Sequence, residues 1–186
     1  MKRLFLSWAF KLAGWKLKGE PLELKKYVIA VAPHTSNLDF FVALPVKYMF
    51  PHEFRPGFLG KDSLFSIPLV GWFLRSIGGI PVNRSKKSNV VDDVVKIFEQ
   101  EERFIMVISP EGTRSYVPKW RTGFYYIALK AKVPIMLAAL DYEHKTVDIT
   151  EVIEPTGDVE KDIAYMRRYF SQFKGKYPEK GVVLEE

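Results

Sequence analysis

Six short runs of strand character, all but the last two spaced by segments of helical length, constrain the fold of this chain more than any other feature of its sequence. Tyr27–Ala32 (YVIAVA), Gly57–Gly60, Ile80–Val82, Phe104–Ile108, Pro134–Leu140 and Thr146–Thr150 read as strands; YVIAVA, apolar throughout, reads as a buried one. Residues 37–50, 63–76, 88–102, 122–131 and 159–173 read as helices. This alternation predicts an α/β fold, a single domain with a largely parallel, helix-covered sheet. With 186 residues, 47% of them hydrophobic, the chain can bury roughly 70% of the surface its unfolded form exposes, so the core needs no staples. It has no cysteine, which removes disulfides, zinc–thiolate sites, iron–sulfur clusters and a Cys nucleophile together. The apolar run Ile67–Leu74 is eight residues long, against the ~20 that a spanning helix needs. No segment is expected to cross a bilayer.

The formal net charge of +6 is unevenly spread, with +5 over residues 1–26, +5 over 27–140 and −4 over 141–186. A basic, aromatic-rich surface suits nucleic acid, a membrane or an anionic small substrate. Within residues 1–18, Ser7, Lys11, Gly14 and Lys18 fall on one narrow helical stripe, and most of the rest is Leu, Phe, Trp and Ala. Such a helix, with Lys2 and Arg3 at its start, either lies in a membrane interface or packs on the protein's own core. Residues 1–20 are therefore set apart as an amphipathic segment preceding a domain over 22–186. The segment lacks the apolar stretch and cleavage site of a secretory signal.

Three places could carry chemistry. His34 stands at the end of the YVIAVA strand with Asp39 five residues on. If Ser36 or Asn37 caps the next helix, the Asp39 carboxylate can fold back onto the imidazole and make it a general base. The alternative is a helix-capping Asp beside a hydrogen-bonded His. Ser109–Ser115 (SPEGTRS) follows a strand end, where its backbone amides and Arg114 could hold an anion; it could also be a turn closed by a Glu111–Arg114 ion pair. In Gly78–Arg84 (GGIPVNR) the glycines allow a close backbone approach and Arg84 closes the segment. His52 and His144 read as loop residues. No metal-binding spacing, GxSxG elbow or phosphate-binding GxxxxGK[ST] loop is present.

Taken in order, these blocks resemble the PlsC-like glycerolipid acyltransferases, which make phosphatidic acid from lysophosphatidic acid. The family's HxxxxD motif appears as His34-Thr35-Ser36-Asn37-Leu38-Asp39. Its GxxFIDR-like block appears as Gly78 to Arg84, with Pro81 and Asn83 in place of Phe and Asp. FPEGTRS appears as Ser109 to Ser115 with Ser leading, and VPIxP as Val133 to Leu137 without the final Pro. The likeness covers residues 22–140.

The resemblance implies His34 as base and Asp39 as its orienting carboxylate. It implies Arg84, Arg114 and Lys61 as phosphate ligands, and Glu111, Gly112 and Thr113 as shaping the acceptor site. No cofactor and no metal are expected. The substrates implied are an acyl thioester, either acyl-CoA or acyl carrier protein, and a lysolipid, foremost 1-acyl-sn-glycerol-3-phosphate. The expected setting is peripheral on the inner face of the cell membrane, in contact through residues 1–18. The alternatives are another lysophospholipid or amino-acid lipid acceptor, an acyl-thioester hydrolase, and a non-catalytic basic membrane-binding protein. Nucleic acid is not an expected partner, for no RNP, KH or helix-turn-helix signature occurs.

Overall fold

The apolar stretch around YVIAVA lies in the middle of a sheet, buried on both faces. The computed structural model describes residues 2–51, 56–82 and 90–184, with Lys2, Arg3, Lys61 and Val82 described by backbone alone. Among the described residues seven strands form one sheet: β1 (Lys16–Lys18), β2 (Lys26–Ala32), β3 (Gly57–Lys61), β4 (Gly79–Val82), β5 (Phe104–Ile108), β6 (Ile135–Asp141) and β7 (Thr146–Ile153), in the order β1-β7-β6-β2-β5-β3-β4. All neighbours pair in parallel except β6 and β7, which form an antiparallel hairpin. Side chains of β2 alternate between two cores. Tyr27 and Ile29 point into one and Val28, Ala30 and Ala32 into the other, as the two-residue period of a strand requires.

The helices are α1 (Lys2–Leu12), α2 (Leu38–Met49), α3 (Asp62–Phe65), α4 (Pro68–Ser76), α5 (Val90–Gln100), α6 (Gly123–Ala131) and α7 (Val159–Phe170), with a final 3₁₀ turn over Pro178–Lys180. Parallel crossovers are right-handed. The chain moves across the sheet in one sense from β2 to β3 to β4 and returns from β4 to β5 to β6. That sense places α2, α3 and α4 on one face and α5 and α6 on the other. Packing agrees: Val42 and Val46 of α2 share a core with Phe10 of α1, whereas Val94 and Phe98 of α5, Phe124 of α6 and Phe170 of α7 share the other.

Two expectations from the sequence are corrected. The single helix over 63–76 is two, because the Pro68 ring disfavours helical backbone in the residue before it. Ile67 is extended, with φ −81° and ψ 117°. The N-terminal helix stops at Leu12 instead of running to residue 18. Gly14, with φ +81°, donates to the Lys11 carbonyl at 2.9 Å while Trp15 donates to that of Phe10 at 3.1 Å. This is the left-handed glycine termination in which paired bonds satisfy the last carbonyls. The Trp15 ring then packs on Phe10, centroids 6.1 Å apart, and residues 16–18 become β1, an edge strand with no sequence pattern of its own.

Of the two readings of the N-terminus, packing on the protein's own core is met by one side chain of α1. Phe10 is buried in the core while Leu4, Phe5, Trp8 and Leu12 face outward. Among the described residues no helix is long and apolar enough to cross a membrane.

Candidate active site

In a parallel sheet the carboxyl ends of the strands lie together, and ligands bind there. β2 delivers His34 to that edge, β5 delivers Ser109–Arg114, and β6 delivers Asp141 and Tyr142. The VPIxP-like block lies elsewhere: Ile135–Leu137 form the amino end of β6 and pair with Val28–Ala30 in the middle of β2.

Asp39 sits in the first turn of α2. Ser36 Oγ accepts the Leu38 N–H at 3.1 Å, and the Asn37 side chain makes no capping bond. Asp39 is thereby free to fold back. Its Oδ2 accepts the Thr35 and Ser36 N–H groups at 2.9 and 3.0 Å and lies 2.8 Å from His34 Nδ1. Its Oδ1 accepts the Tyr142 hydroxyl at 2.7 Å. Burial pushes the Asp39 carboxyl up, but the bonds from His34, Ser36 and Tyr142 outweigh it and hold the group below its usual value. An ionised carboxylate can only accept, so Nδ1 of His34 donates to it, and in the neutral ring Nε2 carries the lone pair. The His34 side chain is 28% exposed and lines a cavity of about 850 Å³.

Two supports hold this pair from below. Glu111, buried after β5, accepts the His34 backbone N–H at 2.7 Å and the Ser109 hydroxyl at 3.3 Å. The Glu111–Arg114 pair considered from the sequence is absent among the described ion pairs. Tyr142 is wedged by the Trp15 ring, edge-on at 4.9 Å. Burial first, and then the Asp39 carboxylate, raise its hydroxyl well above the usual phenol value, so it stays a donor.

Gly112, Thr113 and Arg114 line the same cavity, as does Arg121. Gly112 has φ +66°, and a Cβ there would meet the Arg121 side chain at 2.9 Å. Neither arginine has an ion-pair partner among the described residues. Arg84 and the rest of 83–89 lie outside the described residues, as do His52 and the Lys61 side chain; the Lys61 backbone ends β3 at the same edge. Towards α2 the cavity adjoins a second, apolar one of about 160 Å³, and Val31, Phe40, Phe58 and Leu140 line both.

Reading the sequence missed Tyr142 and Arg121. Tyr142 follows β6 directly, so a search of every strand end would have found it. Arg121 precedes α6 and had only its charge as a signal. The β6–β7 turn also brings together Asp141, Glu143 and His144. These are engaged locally: His144 Nδ1 lies 2.6 Å from Asp141, and Glu143 lies 2.6 Å from Lys174.

The Glu111 carboxyl offers a stability test. Burial raises it from about 4.5 to about 7, against the lowering effect of the His34 N–H. The folded protein therefore holds this proton more tightly than the unfolded chain, and the group's contribution to stability falls as pH rises from about 4.5 to about 7. Glu111→Gln keeps an acceptor without the charge. Its melting temperature relative to the parent should be higher at pH 8 than at pH 5; an equal difference at both pH values would refute the assignment.

Fold and site together define an α/β protein with a carboxylate-held imidazole at the carboxyl ends of its strands, facing a cavity lined by arginines. A family model described as Acyltransferase matches residues 15–140, and the chain belongs to that PlsC-like acyltransferase family. It is 32% identical over 130 residues to a 1-acyl-sn-glycerol-3-phosphate acyltransferase of Saccharomyces cerevisiae, covering 65% of this chain and 41% of that one. It is 29% identical over 118 residues to the protein of the same name from Streptococcus pneumoniae, covering 62% and 42%. The chain thus spans less than half the length of these relatives. The crystal structure of the 1-acyl-sn-glycerophosphate (LPA) acyltransferase PlsC from Thermotoga maritima superposes with a TM-score of 0.63 at 20% identity, over 91% of this chain and 75% of that one. It shares the fold.

Proposed function

We propose that this protein transfers a fatty acyl group from an acyl thioester to the free hydroxyl of a lysolipid, foremost 1-acyl-sn-glycerol-3-phosphate, giving phosphatidic acid. The observation that carries this reading is the His34 ring, fixed through Nδ1 by Asp39 and lining the cavity that Arg114 and Arg121 also line. Nε2 takes the proton of the lysolipid hydroxyl as its oxygen attacks the thioester carbonyl carbon. The tetrahedral intermediate collapses, the C–S bond breaks, and the imidazolium returns its proton to the thiolate. Asp39 stabilises the imidazolium, and no acyl-enzyme is needed. The arginines hold the phosphate, with Arg84 and Lys61 as further ligands, and the adjoining apolar cavity suits an acyl chain. The donor is acyl-CoA or acyl carrier protein, no cofactor or metal takes part, and α1 rests on the inner face of the cell membrane.

The test is turnover of purified protein with mixed lysolipids and both thioester donors, read by mass spectrometry. Arg114→Ala should raise KM for a phosphate-bearing acceptor by about tenfold or more, consistent with a lost charged hydrogen bond, and change KM little for an uncharged one. An equal loss on both acceptors would remove the phosphate role. Fatty acid released without dependence on any acceptor would make the protein a thioester hydrolase instead.

A further inference from the structure

The outer surfaces of the two helical layers differ in kind. On α5, α6 and α7 the large apolar side chains left exposed are Tyr126 and Tyr165, each carrying a hydroxyl, and acids such as Asp93, Glu99 and Glu160 stand among the bases. On the opposite face the α3–α4 segment exposes Leu64, Ile67, Leu69, Val70, Trp72 and Phe73 within ten residues. Leu69 is 82% exposed and Trp72 70%. Monomeric proteins rarely leave such a patch uncovered without a use for it.

This segment does not stand apart from the rest of its face. Lys47 of α2 donates its Nζ hydrogen to the carbonyl of Ile77, just past the end of α4, and α1 packs beside α2 through Phe10. Phe41 of α2 is 66% exposed. The exposed side chains of α4 and α2 and the outward Leu4, Phe5 and Trp8 of α1 therefore share one face of the sheet. Its charge is mainly positive. α1 to α4 carry five Lys or Arg against two acids, Asp39, which is buried in the site, and Asp62 at the start of α3.

We infer that α4 is a second membrane-inserting element, which lies in the interface of an anionic bilayer together with α1. Positive charge around an apolar face complements an anionic lipid surface, each well-placed Lys or Arg strengthening attachment. At nine residues α4 is about 14 Å long, which suits a helix lying in one leaflet and not a spanning one. The inference rests on the proposed lipid substrate, for the patch borders the α2 side of the cavity where that substrate would enter.

The absence of native cysteine makes the test direct. The full-length Leu69→Cys protein is labelled with an environment-sensitive fluorophore, and Glu99→Cys on α5 serves as the opposite-face control. Vesicles of phosphatidylcholine with phosphatidylglycerol should shift the probe at 69 to the blue and expose it to quenching by spin-labelled lipid, leaving the probe at 99 unchanged. The Leu69→Ser/Trp72→Ser variant should partition about tenfold more weakly onto the same vesicles and keep, within twofold, its turnover on detergent-dispersed substrate. A water-like probe at 69 on protein that sediments with vesicles overturns the inference and assigns attachment to α1 alone. Burial of the probe without lipid, together with a doubled solution mass, overturns it in favour of a second copy of this chain. Absent turnover in detergent would count against the proposed function; insertion at 69 is read independently of it.

Discussion

Replacing His34 by alanine should leave a folded protein whose acyl-transfer rate is lower by about 10² to 10⁴, the share that a positioned general base supplies. The loss should appear in kcat more than in KM, because the ring is assigned to the proton and the arginines to the phosphate. Stability should fall modestly. The His34 side chain has one described hydrogen bond, to Asp39, whose Oδ2 keeps the Thr35 and Ser36 N–H groups when the ring is gone. The net cost of one hydrogen bond to a charged group is about 1.5–3 kcal/mol. Single-turnover assays beside a thermal melt check both halves, and near-parental turnover by a folded His34→Ala protein would end the mechanism.

Asp39→Asn should be costly in both respects. Four donors converge on the carboxylate: the His34 ring, two backbone N–H groups and the Tyr142 hydroxyl. An asparagine amide offers one oxygen and turns two N–H groups towards donors, leaving buried groups unpaired at about 1–3 kcal/mol each. Loss of about 3 kcal/mol is expected at pH 7, with a rate lower by about 10² or more because the ring loses both its fixed tautomer and its counter-charge. The pH dependence has a definite sign. Asp39 is held below its usual value of 3.8, so its contribution is full above that value and is lost as pH falls through the folded-state value. The penalty should therefore shrink in denaturant melts at pH 3.5. A penalty of the same size at both pH values would place Asp39 outside the network described here.

The geometry explains which parts of this site could be read in the sequence. His34 and Asp39 are close in the chain and joined by one helix start, so local spacing was enough to pair them. The inward turn of Glu111 and the approach of Tyr142 depend on β2 lying between β5 and β6, an order that strand patterns do not encode. Arg114 was legible from its motif, but its neighbour Arg121 became visible only when the loop folded over Gly112. Most strands were legible because each is an apolar run of strand length, and β7 because Val147 and Ile149 alternate with polar residues. β1 was not, since three residues of mixed polarity carry no period. The break before Pro68 was available from the proline itself, although the apolar run across it reads as one helix.

The glycine turn at residue 14 bears on more than where α1 ends. Only Ala13, Gly14 and Trp15 separate the helix from β1. The Lys16 N–H bonds to the Lys145 carbonyl at 2.8 Å, and the Lys145 ammonium reaches back to the Ala13 carbonyl at 3.1 Å. A domain on a slack tether tumbles through many orientations and must find the productive one at each encounter. Here the helix is a bracket bolted to the frame, and the angle between α1 and the His34 cavity is set once, when the sheet forms. Lengthening that three-residue joint would change the angle of α1 and, because Trp15 packs on Tyr142, would be felt at the Asp39 carboxylate as well.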